Sequence, residues 1–149
     1  MINYSVSYRN PHRHYVNFEL STSTLGKEKI QFQLPAWRPG RYELANFAQN
    51  IQKWAAFDEN NNQLPFQKIT KDLWEVQTKG VMEVTIIYTF YANQLGAGSC
   101  YLDEHQLYLN PVNCMFYIIG RMEEEYKIKL DIPKNYEIAS SMEQEENIL

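Results

Sequence analysis

Cysteine and histidine are both scarce in this sequence of 149 residues, with two of the first and three of the second. Cys100 and Cys114 are too few for a disulfide scaffold and lack the spacing of a metal site. Whether they pair is left open, inward-facing free thiols being the simpler reading. No apolar run approaches the ~20 residues of a membrane span. Nor does a basic start followed by an apolar stretch mark a secretory leader, because Met1 opens directly on a strand-like alternation. The compartment stays open between a cytoplasmic chain and an exported protein whose signal is not in these residues. Positive charge is not in excess either. A formal net charge of −4 argues against a nucleic-acid partner, which needs a basic stripe to displace counterions. That charge is local: from Arg121 to Leu149 eight acidic residues face four basic ones, which leaves residues 1–120 neutral.

What is present is an ordinary globular composition, 44% hydrophobic and 21% charged, of a length that fits one domain. The dominant periodicity is two, the mark of half-buried strands. Ile2, Tyr4, Val6 and Tyr8 alternate with polar residues, as do His14, Val16, Phe18 and Leu20, and then Ile30, Phe32 and Leu34. Met82, Val84, Ile86, Tyr88 and Phe90 make the longest such face, and Tyr126, Ile128, Leu130 and Ile132 the last. The unbroken apolar run from Met115 to Ile119 predicts a strand covered on both sides. Turn signals recur at Leu25-Gly26, Asp58 to Asn62, Lys79-Gly80 and Gly96-Ala97-Gly98. The expected fold is therefore all-β, an antiparallel β-sandwich-like domain with at most a short helical turn. That turn is placed near Glu43–Gln49, ahead of a strand, although Ile51–Phe57 with Leu64–Ile69 also reads as a hairpin. The β-domain is expected over 1–140, with 141–149 as an acidic tail or the start of a following domain.

Catalytic chemistry is thin. His12 and His14, two apart on a strand, would share a face and could hold a metal with a third ligand. A surface histidine beside a partly buried one is the simpler reading. No His-Glu-x-x-His is present, and Glu104-His105 offers no metal-site spacing. Ser99-Cys100 after the glycine-rich stretch invites a nucleophile reading, but a reactive thiol needs a base beside it. A loop entering a buried strand explains those residues more simply. Glu123-Glu124-Glu125 reads as a solvated turn between strands. By its own residues the chain is not expected to be an enzyme.

Leu34-Pro35-Ala36-Trp37-Arg38-Pro39-Gly40-Arg41-Tyr42 is the distinctive segment. Pro39-Gly40 suits the two central positions of a type II turn, whose second φ is positive. On structure alone this is a rigid corner with the Trp37 indole packed over it. With the following residues 43–51 it also resembles the N-terminal β-domain of the glycyl aminopeptidase family. Pro35, Trp37, Pro39, Gly40 and Tyr42 carry the fingerprint. Asp72 to Val76 resembles that family's Trp-centred strand, and Val84 to Ala92 its long tyrosine-bearing one. Tyr101-Leu102-Asp103 with Asn110 resembles a further segment, and Ile132 to Ala139 the closing element.

The resemblance implies a zinc aminopeptidase with a thermolysin-like catalytic domain and a PDZ-like module beyond these residues. It also implies that this chain is the front part of a longer protein. The expected partners are its own catalytic domain and a peptide substrate, with neither nucleic acid nor membrane. Zinc would be held in the catalytic domain and no cofactor here. Within this chain the substrate's free amine would be met by the Tyr101–Asn110 segment. Asp103 would supply charge, Tyr101 a wall and Asn110 an amide partner, charge-assisted hydrogen bonds being the stronger kind. An ordinary polar turn at Asp103 is the bland alternative. A different class of reading is a free-standing aromatic-rich β-sandwich that binds peptide or carbohydrate. An apolar face left bare of its partner domain would also favour weak homodimers.

Overall fold

The computed structural model describes residues 1–40 and 43–149, so Tyr42 of the fingerprint lies outside the described residues. Strands β1 (Ile2–Ser7), β2 (Tyr15–Ser23), β4 (Ile51–Phe57), β7 (Glu83–Tyr91) and β11 (Tyr126–Asp131) form a sheet in the order β11-β1-β2-β7-β4. Facing it, β3 (Lys29–Gln33), β5 (Phe66–Thr70), β6 (Leu73–Gln77) and β10 (Tyr117–Ile118) form a second in the order β10-β3-β6-β5. A separate hairpin pairs β8 (Tyr101–Leu102) with β9 (Leu107–Tyr108), followed by the one-turn helix α1 (Pro111–Cys114). The all-β sandwich expected from the period-two pattern is what forms. One pairing departs from the antiparallel rule: β1 lies parallel to β11, with Ile2 opposite Tyr126.

The core is the set of inward phases. Ile2, Tyr4, Val6, Val16, Phe18, Leu20, Val84, Ile86, Tyr88 and Phe90 line one sheet, and Ile30, Phe32, Trp74, Val76 and Ile118 the other. Alternation puts every second side chain inside, so each strand needs only its apolar phase to be bound into the sandwich. Phe116 sits where the two sheets meet, edge-on to Tyr88 at 4.9 Å and to Trp74 at 5.2 Å between ring centroids. Two phenols fasten the same segment. Tyr4 Oη donates to the Phe116 carbonyl (2.9 Å) and accepts from the Phe116 N–H (2.7 Å), while Tyr88 Oη donates to the Cys114 carbonyl (2.7 Å). Burial pushes both phenols well above the usual tyrosine range, so both stay protonated donors.

Three expectations for the strands change. Met82 is 77% exposed because β7 begins only at Glu83, and the inward face starts at Val84. The run from Met115 to Ile119 is not covered on both sides: its burial alternates, Ile119 is exposed, and only Tyr117–Ile118 pairs as a strand. The hairpin reading of Ile51–Phe57 with Leu64–Ile69 fails after one bridge, Phe57 to Gln63, because β5 crosses to the other sheet and pairs with β6. The favoured reading holds in kind, since a 3-10 turn at Phe47–Asn50 precedes β4. A β-bulge between Gln52 and Ala55, with Lys53 at φ 54°, sets Trp54 against Trp74.

The glutamate turn also differs from a purely solvated one. Arg121 is buried, and Nε and Nη2 donate to the two Glu124 carboxylate oxygens at 2.6 and 2.7 Å. Its other contacts are Nη1 to the Ser23 carbonyl and Nη2 to Thr22 Oγ1, which tie this turn to the end of β2. The hydrogen bonds from Arg121 hold the Glu124 carboxyl down to about 2, from an ordinary 4.5. A depressed folded-state pKa stabilises above the unfolded value and is lost as pH falls towards the folded one. Melting temperature is therefore expected to drop between pH 5 and 2, and less steeply in Glu124→Gln. Identical slopes for the two proteins would remove Glu124 from the account.

Candidate functional site

Several connections converge at one end of the sandwich: residues 34–40 and 43–50, the loop 92–100, the β8–β9 hairpin and α1. The first leaves β3 through Pro35, turns at Pro39-Gly40 with Gly40 at φ 86°, as the type II reading requires, and is closed at its base by Ala45 N–H on the Ala36 carbonyl (2.8 Å). Trp37 does not pack over this corner as expected. It is 52% exposed, because the turn carries its side chain away from the core. Arg38 points back instead, and its guanidinium donates to the Gly98 carbonyl. The Asn113 side-chain amide donates to the same oxygen at 2.7 Å. A Cβ at Gly98 would run into the Arg38 guanidinium, the far end of a flexible side chain, which would then have to swing aside.

Around that junction lies a cavity of about 280 Å³. Its polar wall carries Arg38, the Glu43 carboxylate and several amides, Asn46, Asn50, Asn93 and Asn113 among them. Asn113 is buried in α1, and its Oδ1 has no hydrogen-bond partner in the protein. A larger concavity, about 670 Å³, lies on the outer face of the five-stranded sheet beside Arg9, Arg13 and Lys53. It contains no such orphaned buried group among the described residues.

None of the residues expected from the sequence lines this cavity, although Tyr101 follows its wall residue Cys100 and bridges Asn93. Tyr101 opens β8 opposite Tyr108, and Asp103 follows in the turn, where Oδ1 accepts from the N–H groups of His105 (2.7 Å) and Gln106 (2.9 Å). Those backbone bonds hold the Asp103 carboxyl below its ordinary range. Burial and the neighbouring Asp103 charge push the Tyr101 phenol up. Tyr101 and Asp103 are thus brought together. Asn110 stands at the other end of the segment, its Oδ1 capping α1 through the Val112 N–H (3.3 Å). Its backbone serves the two thiols: the Asn110 carbonyl accepts from Cys114 Sγ (3.4 Å) and Cys100 Sγ (3.7 Å). Both cysteines are buried and free, as expected.

The histidine pair does not form. His12 lies in a 3-10 turn at Pro11–Arg13 rather than on a strand, and His14 ends that turn at φ 65° with Nδ1 on the Leu102 carbonyl. Among the described residues no three His, Cys, Asp or Glu side chains gather as metal ligands, so the zinc that the resemblance implies has no ligand set among them. Arg38 and Asn113 escaped the sequence reading. Arg38 stood inside the fingerprint as a variable position, and Asn113 had no local signal because its neighbour Gly98 is fifteen residues away.

A family model described as the peptidase M61 N-terminal domain matches residues 3–148, nearly the whole chain. The chain belongs to the peptidase M61 N-terminal domain family. This M61 domain is also similar to the crystal structure of an aminopeptidase N family protein from Idiomarina loihiensis. The two share 28% identity with a TM-score of 0.81 over 87% of this chain. The chain spans only 22% of that protein's length. No curated protein matches it. Family and fold thus agree on an M61 N-terminal-type domain.

Proposed function

We propose that this M61 domain is a non-catalytic part of a zinc-dependent aminopeptidase, packed on the catalytic domain and forming the amine-binding end of its cleft. The observation that carries the reading is the match over residues 3–148 to an N-terminal peptidase domain. The local geometry supports it. Trp37, Leu44 and Leu95 are exposed apolar residues that flank the cavity's polar wall in sequence, an arrangement suited to cover by a following domain. Asp103 is a carboxylate kept ionised by backbone donors on an exposed turn, with Tyr101 beside it. A substrate ammonium would pair with that carboxylate, and Tyr101 would limit the room beside it. Asn110 retains its side-chain N–H groups for a carbonyl, its oxygen being spent on α1.

In the complete peptidase, Asp103→Ala is expected to lower kcat/KM on Gly-X peptides by roughly tenfold, the scale of one hydrogen bond to a charged group. Asp103→Asn should lose nearly as much, because the charge is removed and the turn is retained. Unchanged kinetics in both variants would sink the role.

A further inference from the structure

Neither cysteine has a part in the amine-binding role, yet the fold brings the two together. Cys100 stands at the entrance to β8 and Cys114 ends α1, so they bracket residues 101–113, the segment that carries Tyr101, Asp103 and Asn110. Both sulfurs meet the backbone of one residue: the Asn110 carbonyl accepts from Cys114 Sγ at 3.4 Å and from Cys100 Sγ at 3.7 Å. They also hydrogen-bond to each other. The Cys114 thiol and the Asn110 N–H (3.4 Å) donate to Cys100 Sγ and hold the Cys100 thiol below its ordinary range. Burial, with that same donation, pushes the Cys114 thiol well above its own. The pair is asymmetric in access too. Cys100 lines the cavity beside Arg38, whereas Cys114 is fully buried and does not.

We propose that Cys100 and Cys114 are a reversible disulfide site, closed by hydrogen peroxide and reopened by a dithiol, which staples the segment between them. Cys100 is the attacking sulfur, since it alone of the two faces the cavity. Its Sγ bonds to one peroxide oxygen as the O–O bond breaks, and the thiol proton leaves with the other oxygen as water. Cys114 Sγ then attacks the resulting sulfenic sulfur. The S–S bond forms, the S–O bond breaks, and the hydroxyl departs as water with the Cys114 proton. The peroxide gains two electrons and each thiol gives up one hydrogen. Little of the chain has to move, because both sulfurs already stand on one carbonyl and Tyr88 holds the Cys114 backbone at 2.7 Å. The pairing does not rest on the peptidase reading. That reading supplies its consequence: the loop closed by the bond contains the proposed amine-binding groups, and its two ends become fixed to one another.

The test treats the folded, reduced 149-residue chain with a slight excess of hydrogen peroxide near neutral pH. Intact mass should fall by two hydrogens, both free thiols should vanish, and peptide mapping should find Cys100 joined to Cys114 within one chain. Dithiothreitol should restore both thiols. The oxidised chain should melt roughly 6–12 °C above the reduced one, the scale for closing a loop of about 15 residues. In Cys114→Ser the reaction should stop at a sulfenic acid on Cys100, captured by dimedone, while Cys100→Ser should take up none. Wild type alone decides the matter where a serine variant does not fold. Three results would each overturn the staple: disulfides only between chains, thiols that outlast the peroxide in the folded chain, or an oxidised chain that melts below the reduced one. All three would leave the peptidase reading standing, since that is read from Asp103 variants of the complete enzyme.

Discussion

Phe116→Ala is expected to destabilise the domain by about 3–5 kcal/mol, the usual cost of deleting a buried phenyl group. The ring is buried at the junction of the sheets, between Tyr88 of β7 and Trp74 of β6, with Trp54 of β4 a further neighbour at 6.3 Å. Three large rings anchored on two different sheets cannot all shift inwards to close the gap, so the lost transfer energy is joined by a cavity term. Urea unfolding followed by tryptophan fluorescence would report it, because Trp54 and Trp74 are the nearest indoles. The melting temperature should fall by roughly 6–20 °C, at about 2–4 °C per kcal/mol for a chain this long. A loss below about 1 kcal/mol would mean that the sheets close over the site, and that the junction is softer than its packing implies.

Tyr4→Phe comes next, at about 2–4 kcal/mol, although the substitution removes a single oxygen. That oxygen satisfies both backbone groups of Phe116, and no strand runs alongside to replace it. Leaving a buried N–H and a buried carbonyl dry costs about 1–3 kcal/mol each. The neighbouring Tyr88 hydroxyl, 3.4 Å from that of Tyr4, is committed to the Cys114 carbonyl and cannot take over both bonds. Tyr88→Phe should cost less, because only one carbonyl is orphaned. Equal stability of wild type and Tyr4→Phe in urea would show that water enters and bonds Phe116 in its place. Hydrogen exchange at the Phe116 amide separates the cases, since entering water would also abolish its protection.

Much of this structure was legible from alternation alone. A strand with one wet face and one dry face writes its burial into every second residue, and so Ile2, Tyr4 and Val6, or Val84 through Phe90, could be placed without any partner being known. Turn chemistry was equally local: Gly40 needs its positive φ wherever the rest of the chain goes. The reading failed where strands are too short for a period to show. Tyr117–Ile118 is two residues long, so an apolar run looked like a doubly covered strand when one end of it is exposed. It failed again where a strand changes sheet, as β5 does, because periodicity reports a face and not a partner.

The candidate site divides in the same way. Tyr101 and Asp103 lie two residues apart on one hairpin, so their proximity was implied by their positions in the chain. Asn110 was singled out as an amide partner, yet its oxygen caps α1 and its backbone holds Cys100 and Cys114. The Arg38–Gly98–Asn113 junction brings together residues up to 75 positions apart, and no pattern of spacing could announce it.

By itself the sequence determined an all-β domain, which side of most strands is dry, the Pro39-Gly40 corner and the kinship with an N-terminal peptidase domain. These are properties of neighbouring residues and of their order along the chain. Tertiary structure alone decided the parallel union of β1 with β11, the burial of Arg121 against Thr22 and Ser23, and the polar cavity with its unpartnered Asn113 oxygen. Each of these depends on groups far apart in the chain meeting in space. Long-range contacts arise from the closing of the whole sandwich, and local preference carries no record of them.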